Sequence, residues 1–204
     1  MHWIRRVGRL WHKHRLVLTC SWRSSHSLLI SEGGRWLNEG FEKMRSNSTQ
    51  ILYRLMKPGE ETVVIDLVLE VFDEFVAPQY ANEGVTEFKK YARADALPDR
   101  LKDENIVNLA EFEGKIIGVI EIRENSHIAL LFVDKSHQRK GIARELLKRS
   151  IEICRKRKSD IQRITVNSSP NAVTAYQKIG FKDIEDEKVV NGIRFIPMEL
   201  ILSA

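Results

Sequence analysis

The sequence predicts an α/β (α+β) domain with a mixed central β-sheet, its elements running β-α-α-β-β-β-α-β-α-β-β from about residue 50 to residue 204. Three observations carry this. Ile128–Val133 is an unbroken apolar run of strand length, which suits a strand covered on both faces. A basic turn with a glycine, Arg139–Lys140–Gly141, then leads into Ile142–Arg157, where Ala143, Leu147, Ile151 and Cys154 fall at helical spacing beside Ile142, Leu146 and Ile153. Finally, Glu113–Gly114 and Asn191–Gly192 are hairpin turn pairs flanked by β-branched and apolar residues, which requires antiparallel pairing elsewhere in the same sheet.

Taken in order, Gln50–Lys57 reads as a first strand closed by the turn pair Pro58–Gly59. A helix over Glu61–Val76 places Val64, Val68, Val71, Phe72 and Phe75 on one face, with acids at its start and Pro78 beyond its end. A shorter helix over Val85–Arg93 carries Phe88 and Tyr91. Ile106–Phe112 and Lys115–Arg123 form a hairpin, and Asn125–Ser126 turns the chain into the apolar strand. After the long helix come a β-branched strand, Gln162–Val166, a helix, Pro170–Ile179, and a closing hairpin of Phe181–Val190 with Ile193–Leu202.

The chain has 204 residues, enough for one domain with a sizeable core, and a formal charge of +5 that is unevenly placed. Residues 1–50 hold nine of the 33 Lys and Arg and three of the 28 acids, leaving 24 and 25 beyond, so the main body is close to neutral. Its one basic block, Arg155–Lys158, closes a helix, where cations favour the dipole, and no nucleic-acid partner is expected. Residues 1–49 are expected to be a poorly structured basic leader: all four Trp lie there, without helical or strand period. A start placed upstream of the real one near Met44 accounts for it best; a targeting leader or a nucleic-acid-touching arm are the other readings. Cys20 and Cys154 have no metal-ligand spacing and fit a reducing, cytoplasmic compartment. No apolar run is long enough to span a bilayer. A monomer or homodimer without membrane attachment is expected.

The strand–turn–helix at Ile128–Arg144 has a chemical consequence. The first amides of a helix lack intrahelical partners and lie at the positive end of its dipole, so the turn suits an anion such as a diphosphate. Gly141 admits a close approach, and Arg139 and Lys140 add charge.

Gln138-Arg139-Lys140-Gly141-Ile142-Ala143 resembles the Q/R-x-x-G-x-G/A signature of the GNAT superfamily of acetyl-CoA-dependent N-acetyltransferases. The stretch Ser169 to Phe181 resembles its second signature, N/S-x-x-A-x-x-x-Y-x-K-x-G-F. The resemblance covers roughly Leu52 to Leu202. It implies two neighbouring parallel strands splayed at their C-terminal ends, with the cofactor's pantetheine arm in the gap. It further implies that the backbone of Leu131, Phe132 and Val133 binds that arm and that Gln138, Arg139, Lys140, Gly141, Ile142, Ala143 and Arg144 surround the pyrophosphate. Ser169 stands where many relatives carry a cofactor-binding Asn, with Asn171 beside it.

Tyr176 matches the tyrosine that protonates the departing coenzyme A thiolate in many members. His127, at the entrance of the apolar strand, matches the position of a general base; an imidazole of ordinary pKa near 6.5 accepts an ammonium proton, and Glu121 is the substitute. The two helices after the first strand would form the acceptor side, with Tyr80, Glu83 and Phe88 in reach of substrate. The function so implied is transfer of acetyl from acetyl-CoA to a primary amine of a small molecule by direct attack. Acetylation of a protein lysine or N-terminus and a non-catalytic acyl-CoA sensor are the alternatives.

Overall fold

The computed structural model describes residues 50–202, so the expectations for residues 1–49 lie outside the described residues. The eight strands are β1 (Leu52–Leu55), β2 (Ile106–Phe112), β3 (Lys115–Arg123), β4 (His127–Val133), β5 (Arg163–Ser168), β6 (Lys182–Asp183), β7 (Lys188–Val190) and β8 (Ile193–Ile201). The helices are α1 (Glu61–Phe75), α2 (Asn82–Tyr91), α3 (Leu97–Lys102), α4 (Ile142–Arg157) and α5 (Val173–Ile179). The sheet runs β1-β2-β3-β4-β5-β8-β6, with β7 paired to β8; only β4 and β5 are parallel.

Each face of this sheet has its own core. On one side Ile142, Leu146, Leu147 and Cys154 of α4, with Tyr176 of α5 and Phe181, pack on Ile120, Ile122, Ile128 and Ile164. On the other, Val64, Ile65, Leu67, Val68 and Val71 of α1 pack with Leu97 on Leu109, Val119 and Leu130. Fully burying one such aliphatic side chain stabilises the fold by about 1.5–3 kcal/mol, so both helical layers are held mainly by the apolar stripes visible in the sequence. Arg54 clamps the start of the domain: it donates to Glu111 on β2 and to Glu60 just ahead of α1, at 2.7 and 2.6 Å, and its guanidinium holds the Glu60 carboxyl down to about 2.

The hairpin β2–β3 and the helix α4 have the boundaries expected from the sequence. Three expectations are corrected. The first strand is confined to Leu52–Leu55: Met56 N–H makes one last bond to the Val107 carbonyl of β2, and Lys57 already belongs to the turn that Glu60 closes. The single strand expected over Phe181–Val190 is two short strands, because the charged run Glu185–Lys188 has no face to bury. A helix not expected, α3, begins with Pro98 in its first turn and is held by Leu97 and Leu101 in the core and by Arg100.

Arg100 reaches Glu121 on β3, which is fully buried. The Glu121 carboxylate accepts from Arg100 Nε at 2.8 Å, Asn105 Nδ2 at 2.8 Å and the Tyr91 hydroxyl at 3.0 Å. Arg100 also lies 4.3 Å over the Tyr91 ring and donates to the Tyr91 carbonyl. One buried ion pair thereby ties α2 and α3 to the sheet, and the acid considered as a substitute base is a closed structural group.

Candidate active site

β4 and β5 are bridged only at His127↔Thr165 and Ile128↔Val166; beyond these residues the two strands part. The cause is local. Glu121 opposes Leu130 and Ile122 opposes Ile128, so Ala129 is an extra residue on β4, a bulge that increases strand twist. The edge of β4 from Ala129 to Val133 therefore has no ladder partner from β5, and buried backbone groups of this kind need another partner. Gln138 supplies one, donating from its side-chain amide to the Val133 carbonyl at 3.1 Å.

The parting opens into a cleft of about 1180 Å³. At one end is the turn before α4. Arg139 and Gly141 both have left-handed backbones, φ 59° and 82°, a pattern that gathers successive N–H groups into a concave anion site. The helical ladder starts only with Glu145 N–H to the Gly141 carbonyl, leaving the amides of Ile142, Ala143 and Arg144 at the positive helix end without intrahelical partners. A Cβ built on Gly141 meets nothing within 4 Å, so the space above the turn is free for a ligand. This donor set fits a diphosphate, and the unpaired β4 edge fits an amide-bearing arm.

Of the residues expected to hold the cofactor, Leu131, Phe132, Val133, Gln138, Arg139, Gly141, Ile142, Ala143, Arg144, Ser169 and Asn171 all line this cleft; the exposed Lys140 does not. Besides Gln138, three are engaged with protein through their side chains. Ser169 donates to Asn171, and Asn171 donates to the Phe75 carbonyl at 2.8 Å, which ties the loop after β5 to the end of α1. Arg144 donates to the Lys178 carbonyl at the end of α5.

Tyr176 also lines the cleft. Its ring packs edge-on to Phe181 at 5.2 Å, while its hydroxyl has no hydrogen-bond partner among the described residues and is not sealed in the core. Burial pushes its phenol well above the ordinary value, so the proton stays on oxygen throughout the neutral range.

His127 stands where the two strands begin to part, its Nδ1 2.8 Å from Thr165 Oγ1. Thr165 in turn donates to the Ser126 carbonyl, so the arrangement that satisfies both gives Nδ1 the hydrogen and leaves Nε2 as acceptor. The ordinary imidazole pKa expected from the sequence is corrected: burial first, and the nearby Arg123 second, hold it down to about 4.

The other end of the cleft is aromatic. Phe72 stacks on Phe88 with centroids 3.8 Å apart, Tyr80 meets Phe72 edge-on, and Phe132 completes the group. Tyr80 and Phe88 line the cleft as expected, whereas Glu83 does not. The turn of the last hairpin docks on α2 so closely that a Cβ on Gly84 would lie 2.1 Å from the Gly192 carbonyl, and Val190, Asn191 and Ile193 around that turn line the cleft. Sequence reasoning missed Arg123, Glu87 and His137, which also line the cleft; single charged residues at strand and helix ends carry no period or motif. Among the described residues no group of three or more His, Cys, Asp or Glu is arranged to hold a metal ion, and no helix is long and apolar enough to cross a membrane.

A mixed sheet with one parted parallel pair, an anion turn at the head of the following helix and a cleft between them have the architecture of an acetyltransferase domain. The family model for the acetyltransferase (GNAT) domain matches residues 76–202, more than half of the chain, and the protein belongs to this family of acetyltransferases. No curated protein sequence matches it. Among solved structures it is similar to a GCN5-related N-acetyltransferase from Rhodopseudomonas palustris, with 18% identity, a TM-score of 0.63, and coverage of 76% of this chain and 98% of that one. The PaiA N-acetyltransferase from Thermoplasma acidophilum, in complex with coenzyme A, is 20% identical with a TM-score of 0.62, covering 76% of this chain and all of that one. A ribosomal-protein-alanine N-acetyltransferase from Brucella melitensis is 21% identical with a TM-score of 0.57, over 74% and 99% of the two chains. At these identities the likeness concerns the fold.

Proposed function

We propose that the protein transfers an acetyl group from acetyl-CoA to a primary amine of a small molecule, by direct attack and without a covalent enzyme intermediate. The observation that carries the small-molecule reading is the lining of the acceptor side, where Phe75, Tyr80, Phe88, Phe132 and Phe195 face one cleft and suit the hydrocarbon body of a small amine. A protein acceptor is the second reading, since one similar structure is named for a ribosomal protein alanine.

Acetyl-CoA supplies an activated thioester. In the proposed reaction the amine nitrogen forms a bond to the acetyl carbon as the carbon–sulfur bond breaks, and the thiolate takes the Tyr176 proton. The amine proton leaves by way of water, with His127 Nε2 as a neutral acceptor on that path. The β4 edge at Leu131–Val133 holds the pantetheine amides, Gln138–Arg144 frame the diphosphate, and Ser169 and Asn171 contribute to cofactor binding. A non-catalytic acyl-CoA sensor has no use for an unpartnered phenol in the cleft.

The test is release of coenzyme A with a panel of small amines and, in parallel, of peptides bearing free N-termini or lysines. Turnover of amines above that of every peptide is expected; the reverse order would replace the small-molecule reading with protein acetylation.

A further inference from the structure

We propose that Arg123 reads a carboxylate on the acceptor, so that the substrates are amines that are also acids, with an apolar body between or beside the two groups. The inference rests on the small-molecule reading above.

Arg123 is the last residue of β3 and lies directly opposite His127 of β4. Opposed residues share a face of the sheet, and Arg123 and His127 both line the cleft. Its guanidinium has no hydrogen bond or ion pair among the described residues. Arg123 is exposed to solvent, and what sets it apart from other exposed arginines is that it lines the cleft beside His127.

The charges around it make the case. The cleft's other arginines and lysine, Arg139, Arg144 and Lys178, belong to the turn and helices at the cofactor end. The acceptor end has one carboxylate, Glu87, and Lys90 answers it at 2.9 Å. The remainder is apolar or aromatic: Phe75, Tyr80, Phe88, Val190, Ile193 and Phe195. What is left lining the cleft beside His127 is one positive charge without an ion-pair partner among the described residues; Glu124, next to it in the chain, is exposed and does not line the cleft. A diamine or polyamine would bring two or more cations to a pocket with no free carboxylate, and Arg123 would repel them. A carboxylate on the acceptor removes that repulsion, and it matches the planar guanidinium with two parallel N–H···O bonds. The aromatic walls take the hydrocarbon part.

Matched pairs test this: phenylalanine and phenylalaninamide, 6-aminohexanoate and 6-aminohexanamide, with hexylamine and a diamine as further members. Coenzyme A release is followed with saturating acetyl-CoA. In the wild type at least one acid should exceed its amide by about tenfold or more in kcat/KM, and the diamine should be poor. Arg123→Gln should bring the acid-to-amide ratio near one, mainly by raising KM for the acid, and Arg123→Lys should keep part of the preference, because it retains the charge but loses the fork. Equal use of acid and amide by the wild type, or a preference that survives Arg123→Gln, overturns the role of Arg123 while leaving acetyl transfer to amines standing. No turnover of any member, in a protein that binds acetyl-CoA by calorimetry, overturns the small-molecule reading and this inference together.

Discussion

Replacing Glu121 by Ala tests whether the acid on β3 is structural. Its carboxylate is fully buried and receives three donors, Arg100, Asn105 and the Tyr91 hydroxyl, and Arg100 is itself only 13% exposed. Removing it leaves a guanidinium, a carboxamide and a phenol without their acceptor. Breaking a buried pair from one side costs about 3–5 kcal/mol, a large share of the roughly 5–15 kcal/mol that stabilises a domain. At about 2–4 °C per kcal/mol for a domain of this size, the melting temperature should fall by roughly 10 °C. Urea titration of Glu121→Leu, Arg100→Met and the double variant Glu121→Leu/Arg100→Met measures the coupling. The double variant should be less destabilised than the sum of the single ones by about 2 kcal/mol or more, since it buries no unpaired charge. Assayed well below its melting temperature, it should still release coenzyme A. Additive losses would refute the closed-pair argument. A stable double variant without turnover would return Glu121 to the chemistry.

Three further perturbations address the cleft. Tyr176→Phe removes one unpartnered hydroxyl and keeps the ring against Phe181, so turnover should fall by roughly ten- to a thousandfold with acetyl-CoA affinity nearly unchanged; wild-type turnover with chemistry limiting would pass the donor role to water. Gly141→Asp puts a carboxylate and a strained left-handed residue into the open space above the turn, and calorimetry should find acetyl-CoA binding abolished in a protein with an unchanged circular dichroism spectrum. His127 makes stability depend on pH. Its folded pKa of about 4 lies below the usual 6.5, so the unfolded chain binds the extra proton, and stability present above pH 6.5 is lost as pH falls towards 4. Undiscounted, the shift corresponds to about 3 kcal/mol; partial solvent contact reduces this to about 1–2 kcal/mol. His127→Gln should flatten that part of the stability profile, and an unchanged slope would assign it to other groups. Because the imidazole stays neutral above about pH 5, the acidic limb of the pH–rate profile should follow the pKa of the amine used.

Much of the site was legible in the sequence because it is built from backbone. The anion turn needs a strand, a glycine and an amphipathic helix in succession, and Ile128–Arg157 displays all three as periods and residue types. The same holds for the β2–β3 hairpin, whose Glu113–Gly114 turn adopts positive φ at both residues. What was not legible depends on tertiary contact. The helix α3 has six residues and too short a stripe to detect, and its anchor, Arg100, meets a partner 21 residues later in the chain. The pKa of His127 is set by the burial that the strand pairing imposes, which no local pattern reports. The open hydroxyl of Tyr176 could be assigned only through the motif around it, since a tyrosine on an apolar helix face looks the same in a closed core.

The docking of Asn191–Gly192 on α2 also bears on the order in which the enzyme comes into being. β8 inserts between β5 and β6 and is the last strand of the described chain to be synthesised, so the sheet edge at β5 waits for it. The anion turn and the β4 edge can form earlier, from residues already made. The cleft between β4 and β5 is therefore bordered by its last wall, Val190, Asn191, Ile193 and Phe195, only when the final hairpin arrives, which makes completion of the cleft a late step of folding.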